Sequence, residues 1–432
     1  MPFVRKLARV LRDLASHHVL LAGTLATAML STVPASAVEI EYWQYVFDSR
    51  IAAINQLIAK FEAANPDIKV KHTTFPYADY QTKITASMSA GLGPDVVQLY
   101  YGWLDKFVAA KFLKPLSREA FPPDAIARDF FPIIEAMKKD GEYYGLPTAV
   151  RTLALFYNKK LFTQAGIDAA TPPQTLDELV GVASKIAKRD AGGNLLIEGI
   201  ALDMAGQDHQ WWREVLMRQF GGQAYSQDNS KVAYNDEAGV KALGYYVDLQ
   251  RKHDVGRLGF MDEGQAAFRA GRAAMVVDGT FRLGAFGAIK GFEWGVAELP
   301  KSADGKRANY ASYWINAITT NAKGEKAAAA EKFLAYLTSP EAMELWLKTV
   351  GELPARRAVA LTPERLADPI YGPFLRGLDY SYTTRFVDEA AQRQIAIDMV
   401  NRVLIQNQDV RAALDEAAKA EQSLIDRSTG AR

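Results

Sequence analysis

Residues 77–116 constrain the fold more than any other stretch, because they read in succession as helix, glycine turn, buried strand and helix. That is one crossover unit of an α/β protein. Ile84, Met88 and Leu92 recur at helical spacing, and Gly91, Gly93 and Pro94 stop the helix. Asp95 opens a short apolar run, Val96-Val97-Gln98-Leu99, which is strand-like in length and β-branching. Tyr100, Tyr101 and Trp103 follow it directly. In open α/β sheets ligands bind just beyond the carboxyl ends of the strands. The three aromatics are therefore ligand-facing candidates rather than core.

The same grammar runs through the chain. Residues 39–45 read as an opening strand with Ile40, Tyr42 and Trp43, and Ile51, Ile54, Leu57, Ile58 and Phe61 then fall on one helical face. Asn65-Pro66-Asp67 ends that helix and Ile68-Lys69-Val70 resumes extended structure. Gly145-Leu146-Pro147 precedes a further strand at residues 153–157. Thr175-Leu176-Asp177-Glu178 is a capping box, and Ser339-Pro340-Glu341 starts a helix with Pro at its first position. Residues 388–426 are helical by composition and hold no Pro or Gly. Regular alternation of this kind argues for an α/β fold with mostly parallel sheets covered on both faces.

The first residues predict export. Arg5, Lys6, Arg9 and Arg12 form a basic region ahead of an apolar run from Val19 to Leu30, and Ala35-Ser36-Ala37 supplies the small residues of a cleavage site before Val38. The apolar run is shorter than the roughly 20 residues a membrane span needs. The leader is expected to be removed, leaving a periplasmic chain long enough for two domains.

Composition excludes several chemistries. The formal net charge of +1 lies near neutrality, which gives no support to nucleic-acid binding. With no cysteine there is no disulfide, thiolate zinc site or cysteine nucleophile. Three histidines, His72, His209 and His253, follow the leader far apart, without metal-ligand spacing, and no nucleophile elbow, P-loop or dinucleotide fingerprint occurs. No metal, cofactor or catalytic residue is expected, and the chain is not read as an enzyme. An exported glycan-active enzyme is the rival class, and it would need an acid pair that nothing singles out among the 50 Asp and Glu.

Five clusters of aromatic and hydrogen-bonding residues instead fall at strand ends. Trp43 and Tyr45 close the first strand, with Asp48 just beyond it. Tyr100, Tyr101 and Trp103 form the second cluster, and Asp208 and Trp211 follow an expected strand at Gly199-Ile200-Ala201-Leu202. Asp278, Gly279 and Phe281 follow Ala274-Met275-Val276-Val277, and Tyr310, Ser312, Tyr313 and Trp314 begin another strand. A pyranose has apolar C–H faces and a hydroxyl rim, so rings over its faces and Asp, Gln or Arg at its rim suit a saccharide.

The chain resembles the extracellular solute-binding proteins of bacterial ABC importers, in the branch that includes maltose-binding proteins. The resemblance covers essentially residues 39–360. It rests on Phe61-Glu62-Ala63-Ala64-Asn65-Pro66 before Ile68, on Ser89-Ala90-Gly91-Leu92-Gly93-Pro94-Asp95-Val96, and on Tyr144-Gly145-Leu146-Pro147 with Leu155-Phe156-Tyr157-Asn158-Lys159-Lys160-Leu161-Phe162. Phe268-Arg269-Ala270-Gly271-Arg272-Ala273-Ala274-Met275 completes it. The resemblance implies a two-lobed fold with ligand in the cleft between the lobes. It places residues 38–149 and 312–354 in the N-terminal lobe, and 150–311 and 355–432 in the C-terminal lobe. It implies hinge closure on a carbohydrate and delivery to ABC permease subunits, by a chain expected to act as a monomer. A polyol or a glycerol phosphoester is the alternative ligand.

Carried onto this sequence, the resemblance makes Asp48 a polar ligand contact and Tyr100, Tyr101 and Trp103 an aromatic wall. Phe281 stands where many relatives have a stacking Trp, and Arg151 stands where maltose-binding relatives carry an acid. Two readings of Arg151 are open: it pairs with a neighbouring carboxylate across the hinge, or its fork reads an anionic sugar. Arg356 is a second candidate for the same site.

Overall fold

The computed structural model describes residues 37–202, 210–384 and 386–430. The expected leader lies outside the described residues, apart from Ala37. None of the described helices is long and apolar enough to cross a membrane.

Nine strands form one curled sheet over residues 38–382. β1 (Val38–Tyr45) pairs in parallel with both β2 (Ile68–Phe75) and β3 (Val96–Tyr100). Two long strands, β4 (Leu146–Asn158) and β7 (Asn309–Ile318), then tie this half of the sheet to the other. The amino-terminal half of β4 runs antiparallel to β7, and β7 runs antiparallel to β3. Beyond Leu153, β4 instead pairs antiparallel with β5 (Met275–Gly279) and β6 (Trp294–Ala297). β8 (Leu353–Pro354) adds to β4, and β9 (Ser381–Tyr382) to β7.

The sheet is therefore mixed. The parallel pairing expected from the alternation holds among β1, β2 and β3 and between β7 and the short β9, and gives way elsewhere at β4 and β7, which run against their other neighbours as they pass between the two halves. Residues 199–202, expected as a strand, contribute an extended segment: Ala201 N–H donates to the Met275 carbonyl at 2.9 Å, beside a parallel bridge from Glu198 to Ala273.

Helices cover the sheet where the apolar spacing requires it. α1 (Asp48–Ala64) buries Ile54, Leu57, Ile58 and Phe61, and α2 (Tyr77–Ser89) buries Tyr80, Ile84 and Met88. The Thr175 hydroxyl caps α3 (Leu176–Ile186), accepting from Glu178 N–H at 3.2 Å, while the Glu178 carboxylate reaches back to Gln174 N–H. α4 (Glu237–Arg251) is capped by Asp236. α5 (Glu325–Leu337) presents Phe333 to Phe61, with ring centroids 5.1 Å apart. Ser339 caps α6 (Pro340–Val350) just as the Ser-Pro-Glu sequence predicts. The carboxyl-terminal stretch is two helices, not one: α7 (Glu389–Leu404) and α8 (Val410–Gly430) are separated by a turn with Asn407 at φ 57°.

Candidate functional site

The register of β4 builds the site. Val150 lies opposite Leu353 of β8, so Glu352 comes to the side of Arg151, and Ser312 of β7 flanks Arg151 on the other side. The register between β4 and β7 slips between Tyr313 and Ile315, so that two β4 residues face Trp314 alone. A bulge of this kind re-aims a side chain and sharpens the local twist. Trp314 lies beside Tyr100 of β3 in the same sheet.

Around Trp314 the rings converge. Its centroid lies 4.3 Å from that of Tyr45, 5.4 Å from Trp103, 5.7 Å from Tyr100 and 6.3 Å from Tyr77. Trp314, Tyr45 and Trp103 are nearly buried, while Tyr77 is 57% exposed and Phe47 38% exposed. The ring cluster thus has a covered wall and an open rim. The Tyr100 hydroxyl meets that of Tyr310 at 3.2 Å, which links the wall to the start of β7. Burial lifts the Tyr100 hydroxyl pKa well above its usual value, Glu389 adding to the rise and Arg151 opposing it.

Charge enters from two buried arginines. Arg50, in the first turn of α1, is 1% exposed; its Nη2 donates to Glu352 Oε1. Its guanidinium carbon sits 4.8 Å from the Phe47 ring centroid, 5.1 Å from Tyr45 and 6.0 Å from Trp314, which is cation–π range. Arg151 Nε reaches the same Glu352 oxygen at 3.5 Å, and its guanidinium carbon lies 5.4 Å from the Phe281 ring. Glu352 Oε2 accepts from Trp346 Nε1 at 3.0 Å. Burial raises the Glu352 carboxyl, but Arg50, Arg151 and the Trp346 hydrogen bond overcome it and hold the group below the usual carboxylate range. Burial pulls Arg50 down to about 10, with Glu352 opposing and Arg151 adding to the fall. Arg50 is therefore charged at neutral pH, and the two arginines share one carboxylate.

Phe281 follows β5 and lies against Arg151 and Arg282. A Cβ at Gly279 would come within 2.4 Å of the Phe281 ring, so the ring packs directly over a bare backbone. Asp278 accepts from Arg282 Nε at 2.9 Å and from Gly279 N–H at 2.7 Å, which holds this turn. From α7, Glu389 and Arg393 form a pair at 3.4 Å. Burial raises the Glu389 carboxyl, Arg393 opposing, and the Tyr77 hydroxyl is raised first by burial and then by Glu389.

Tyr45, Tyr100, Trp103, Arg151, Phe281 and Trp314 are thus brought together, with Gly279 beneath Phe281. Asp48 is exposed at the start of α1, close in sequence to Arg50. Other candidates go elsewhere. Trp43 packs on Phe75 at 4.7 Å between β1 and β2. Tyr101 is buried with its hydroxyl 2.5 Å from that of Tyr310, and Tyr313 is fully buried, donating to the Ile133 carbonyl at 2.7 Å. Trp211 is 1% exposed against Tyr246, and Asp208 lies outside the described residues.

Arg356 does not join Arg151. It pairs with Asp129 at 2.8 Å, donates to the Thr338 carbonyl and covers the Phe130 ring, because its backbone has turned away after β8. The sequence reading missed Arg50, Glu352, Phe47, Tyr77, Glu389 and Arg393. Arg50 carried a signal: it falls four residues before Ile54 on the apolar face of α1, where a charge needs a buried partner.

A family model described as bacterial extracellular solute-binding protein matches residues 47–344. The chain is 25% identical over 355 residues to the maltotriose-binding protein of Pyrococcus abyssi, covering 80% of this chain and 72% of that protein. It is also 25% identical over 364 residues to the sn-glycerol-3-phosphate-binding periplasmic protein of Escherichia coli K12, covering 79% and 80%. Among solved structures, the cyclic alpha-maltosyl-1,6-maltose binding protein from Arthrobacter globiformis superposes with a TM-score of 0.79 at 25% identity, covering 90% of this chain and all of that one. The fold is the two-lobed α/β architecture of the periplasmic binding proteins.

Proposed function

The chain belongs to the bacterial extracellular solute-binding proteins, and we propose that it is an exported, monomeric receptor that takes a carbohydrate between its two lobes and delivers it to an ABC permease. Residues 38–149 and 312–354 make one lobe in this reading, and 150–311 with 355–432 the other, so that the hinge is formed by β4, β7 and β8. The observation that carries the reading is the ring wall of Tyr45, Tyr100, Trp103 and Trp314, joined through Arg50 and Glu352 to Arg151 and the Phe281 ring. Flat rings suit the apolar faces of a sugar, and the guanidinium suits its polar rim.

Closure follows from differential affinity. A solute that touches Trp314 on one side and Phe281 on the other makes both sets of contacts only when the lobes approach, so binding shifts the population toward the closed form. The relative named for sn-glycerol 3-phosphate, together with the two arginines, supports a second reading in which the solute is a glycerol phosphoester. No catalytic role is assigned.

A thermal-shift screen of the mature chain against mono- and oligosaccharides, polyols and phosphoesters tests the proposal. A solute at a hundredfold excess over its Kd stabilises the folded chain by about 2.7 kcal/mol. A saccharide that raises the melting temperature without being converted supports the receptor. A shift with phosphoesters alone moves the ligand to the second reading, and turnover of a glycan overturns the non-enzymatic assignment.

A further inference from the structure

Two guanidinium groups and one carboxylate leave the cluster with a surplus positive charge, and its donors are not used up. Arg50 Nε and Nη1 and Arg151 Nη2 are buried and have no hydrogen-bond partner among the described residues. Glu352 does not reach them: one of its oxygens faces Arg50 Nη2 and Arg151 Nε, and the other accepts from Trp346. Buried donors without acceptors are costly, more so when charged, and native proteins rarely leave them so. The cluster sits inside the ring wall: Arg50 lies against Tyr45, Phe47 and Trp314, and Arg151 against Phe281.

We propose that Arg50 and Arg151 form an anion seat within the solute site, so that the preferred ligand is a small polyhydroxylated molecule carrying one negatively charged group, a carboxylate or a phosphate ester. The inference rests on the receptor reading and names the class of its ligand. Glu352 holds the two guanidinium groups side by side against their mutual repulsion, and it leaves their outer edges to supply the charge-assisted, fork-like contacts that an oxyanion accepts. Because the free donors outnumber those Glu352 can meet, a neutral sugar hydroxyl satisfies them less well than an oxyanion.

The test compares matched pairs by titration calorimetry on the mature chain: glucuronate against glucose, and glycerol 3-phosphate against glycerol, with maltotriose as a neutral oligosaccharide. In at least one pair the charged member binds at least tenfold tighter. Preference in the first pair identifies a carboxylate, and in the second a phosphate ester. Arg151→Gln lowers the charged-to-neutral ratio at least tenfold and Arg151→Lys retains part of it, while Arg356→Gln, whose side chain is tied to Asp129, leaves it unchanged. Circular dichroism of each variant separates loss of the ratio from loss of the fold. Glucose, glycerol or maltotriose binding as tightly as the charged probes, with the ratio unmoved by Arg151→Gln, overturns the inference and leaves the receptor standing. Binding of none of the five overturns both.

Discussion

Around Arg213 the carboxylates match the arginines in number, whereas around Arg50 two arginines divide a single carboxylate. Glu421 accepts from Arg213, Tyr225 and Gln392 on one oxygen and from Tyr234 on the other, and Glu214 accepts from Thr384 and Arg218. Both carboxylates are 1% exposed, and the network joins residues 211–216 to α7 and α8. The free edges of Arg213 are covered by Tyr225 and Phe386 rings at 4.9 and 5.4 Å. Buried arginine by itself therefore says little about ligand binding. What separates the two regions is charge balance and surroundings: the Arg213 cluster has as many carboxylates as arginines, while the Arg50 cluster has one carboxylate for two arginines and packs against Phe47, which is 38% exposed.

The sharpest way to break that contrast is to remove the carboxylate from each cluster. Glu352→Ala leaves two buried guanidinium groups unpaired, and Glu421→Ala leaves Arg213 and three neutral donors unmet. Each costs about 3–5 kcal/mol of unfolding free energy, read from urea denaturation. They differ in rescue: acetate at tens of millimolar recovers part of the loss in Glu352→Ala and none in Glu421→Ala. Equal recovery in both variants removes the distinction between an accessible and a closed cluster.

That contrast was only half legible in the amino-acid order. Local signals fixed β1, β3, α1 and α6, since apolar spacing, Pro94 and the Ser339-Pro340 start act within a few residues. Arg151 stood out through the resemblance, as an arginine in the hinge stretch where an acid was expected. Its partner could not be read, because Glu352 reaches it only through the pairing of Leu353 with Val150 across some two hundred residues. Tyr313 and Trp314 are adjacent, yet one donates to the Ile133 carbonyl in the core and the other joins the ring wall. Strand alternation sends neighbours to opposite faces, and which face meets solute is decided by register. Trp211 failed as a site candidate for the same reason: a Trp after a strand end packs equally well into a helical layer.

A smaller effect separates the two walls of the site itself. Phe281→Leu removes a ring face over Gly279 and the cation–π contact with Arg151 but keeps apolar bulk, so saccharide affinity falls by about 1–1.5 kcal/mol while the thermal midpoint of the unliganded chain barely moves. Trp314→Leu lowers both, because that ring also fills the space between Tyr45 and Trp103. Calorimetry with melting curves on both variants checks this. A stability loss at Phe281 equal to that at Trp314 contradicts the division into a structural wall and a free one.

The two clusters also respond oppositely to acid. Glu352 is buried yet held below the usual 4.5 by Arg50 and Arg151, so its contribution is present above pH 4.5 and lost as pH falls through its folded value. Burial keeps Glu214 above 4.5 despite Arg218 and Arg213, so its contribution is fully present below 4.5 and lost as pH rises through its folded value. Denaturation from pH 7 downward therefore shows the gap between wild type and Glu352→Gln narrowing below pH 4.5. The comparison of wild type with Glu214→Gln moves in favour of wild type on acidification. Parallel trends in the two variants reject the difference in charge balance.

The smallest effect belongs to an ion pair on the surface of the same helices that frame Arg50. Lys60 of α1 meets Glu341 of α6 at 2.8 Å, closer than Arg151 approaches Glu352, but the two side chains are 55% and 57% exposed. Water already solvates both charges, and ordering two long side chains offsets most of the attraction. Lys60→Ala is expected to leave the urea midpoint nearly unchanged, and high salt erases what remains. If Lys60→Ala approached the loss in Glu352→Ala, distance alone would govern these pairs. A midpoint that barely moves leaves burial as the cause, and burial is what makes the unmatched charge at Arg50 and Arg151 costly to leave without an anion.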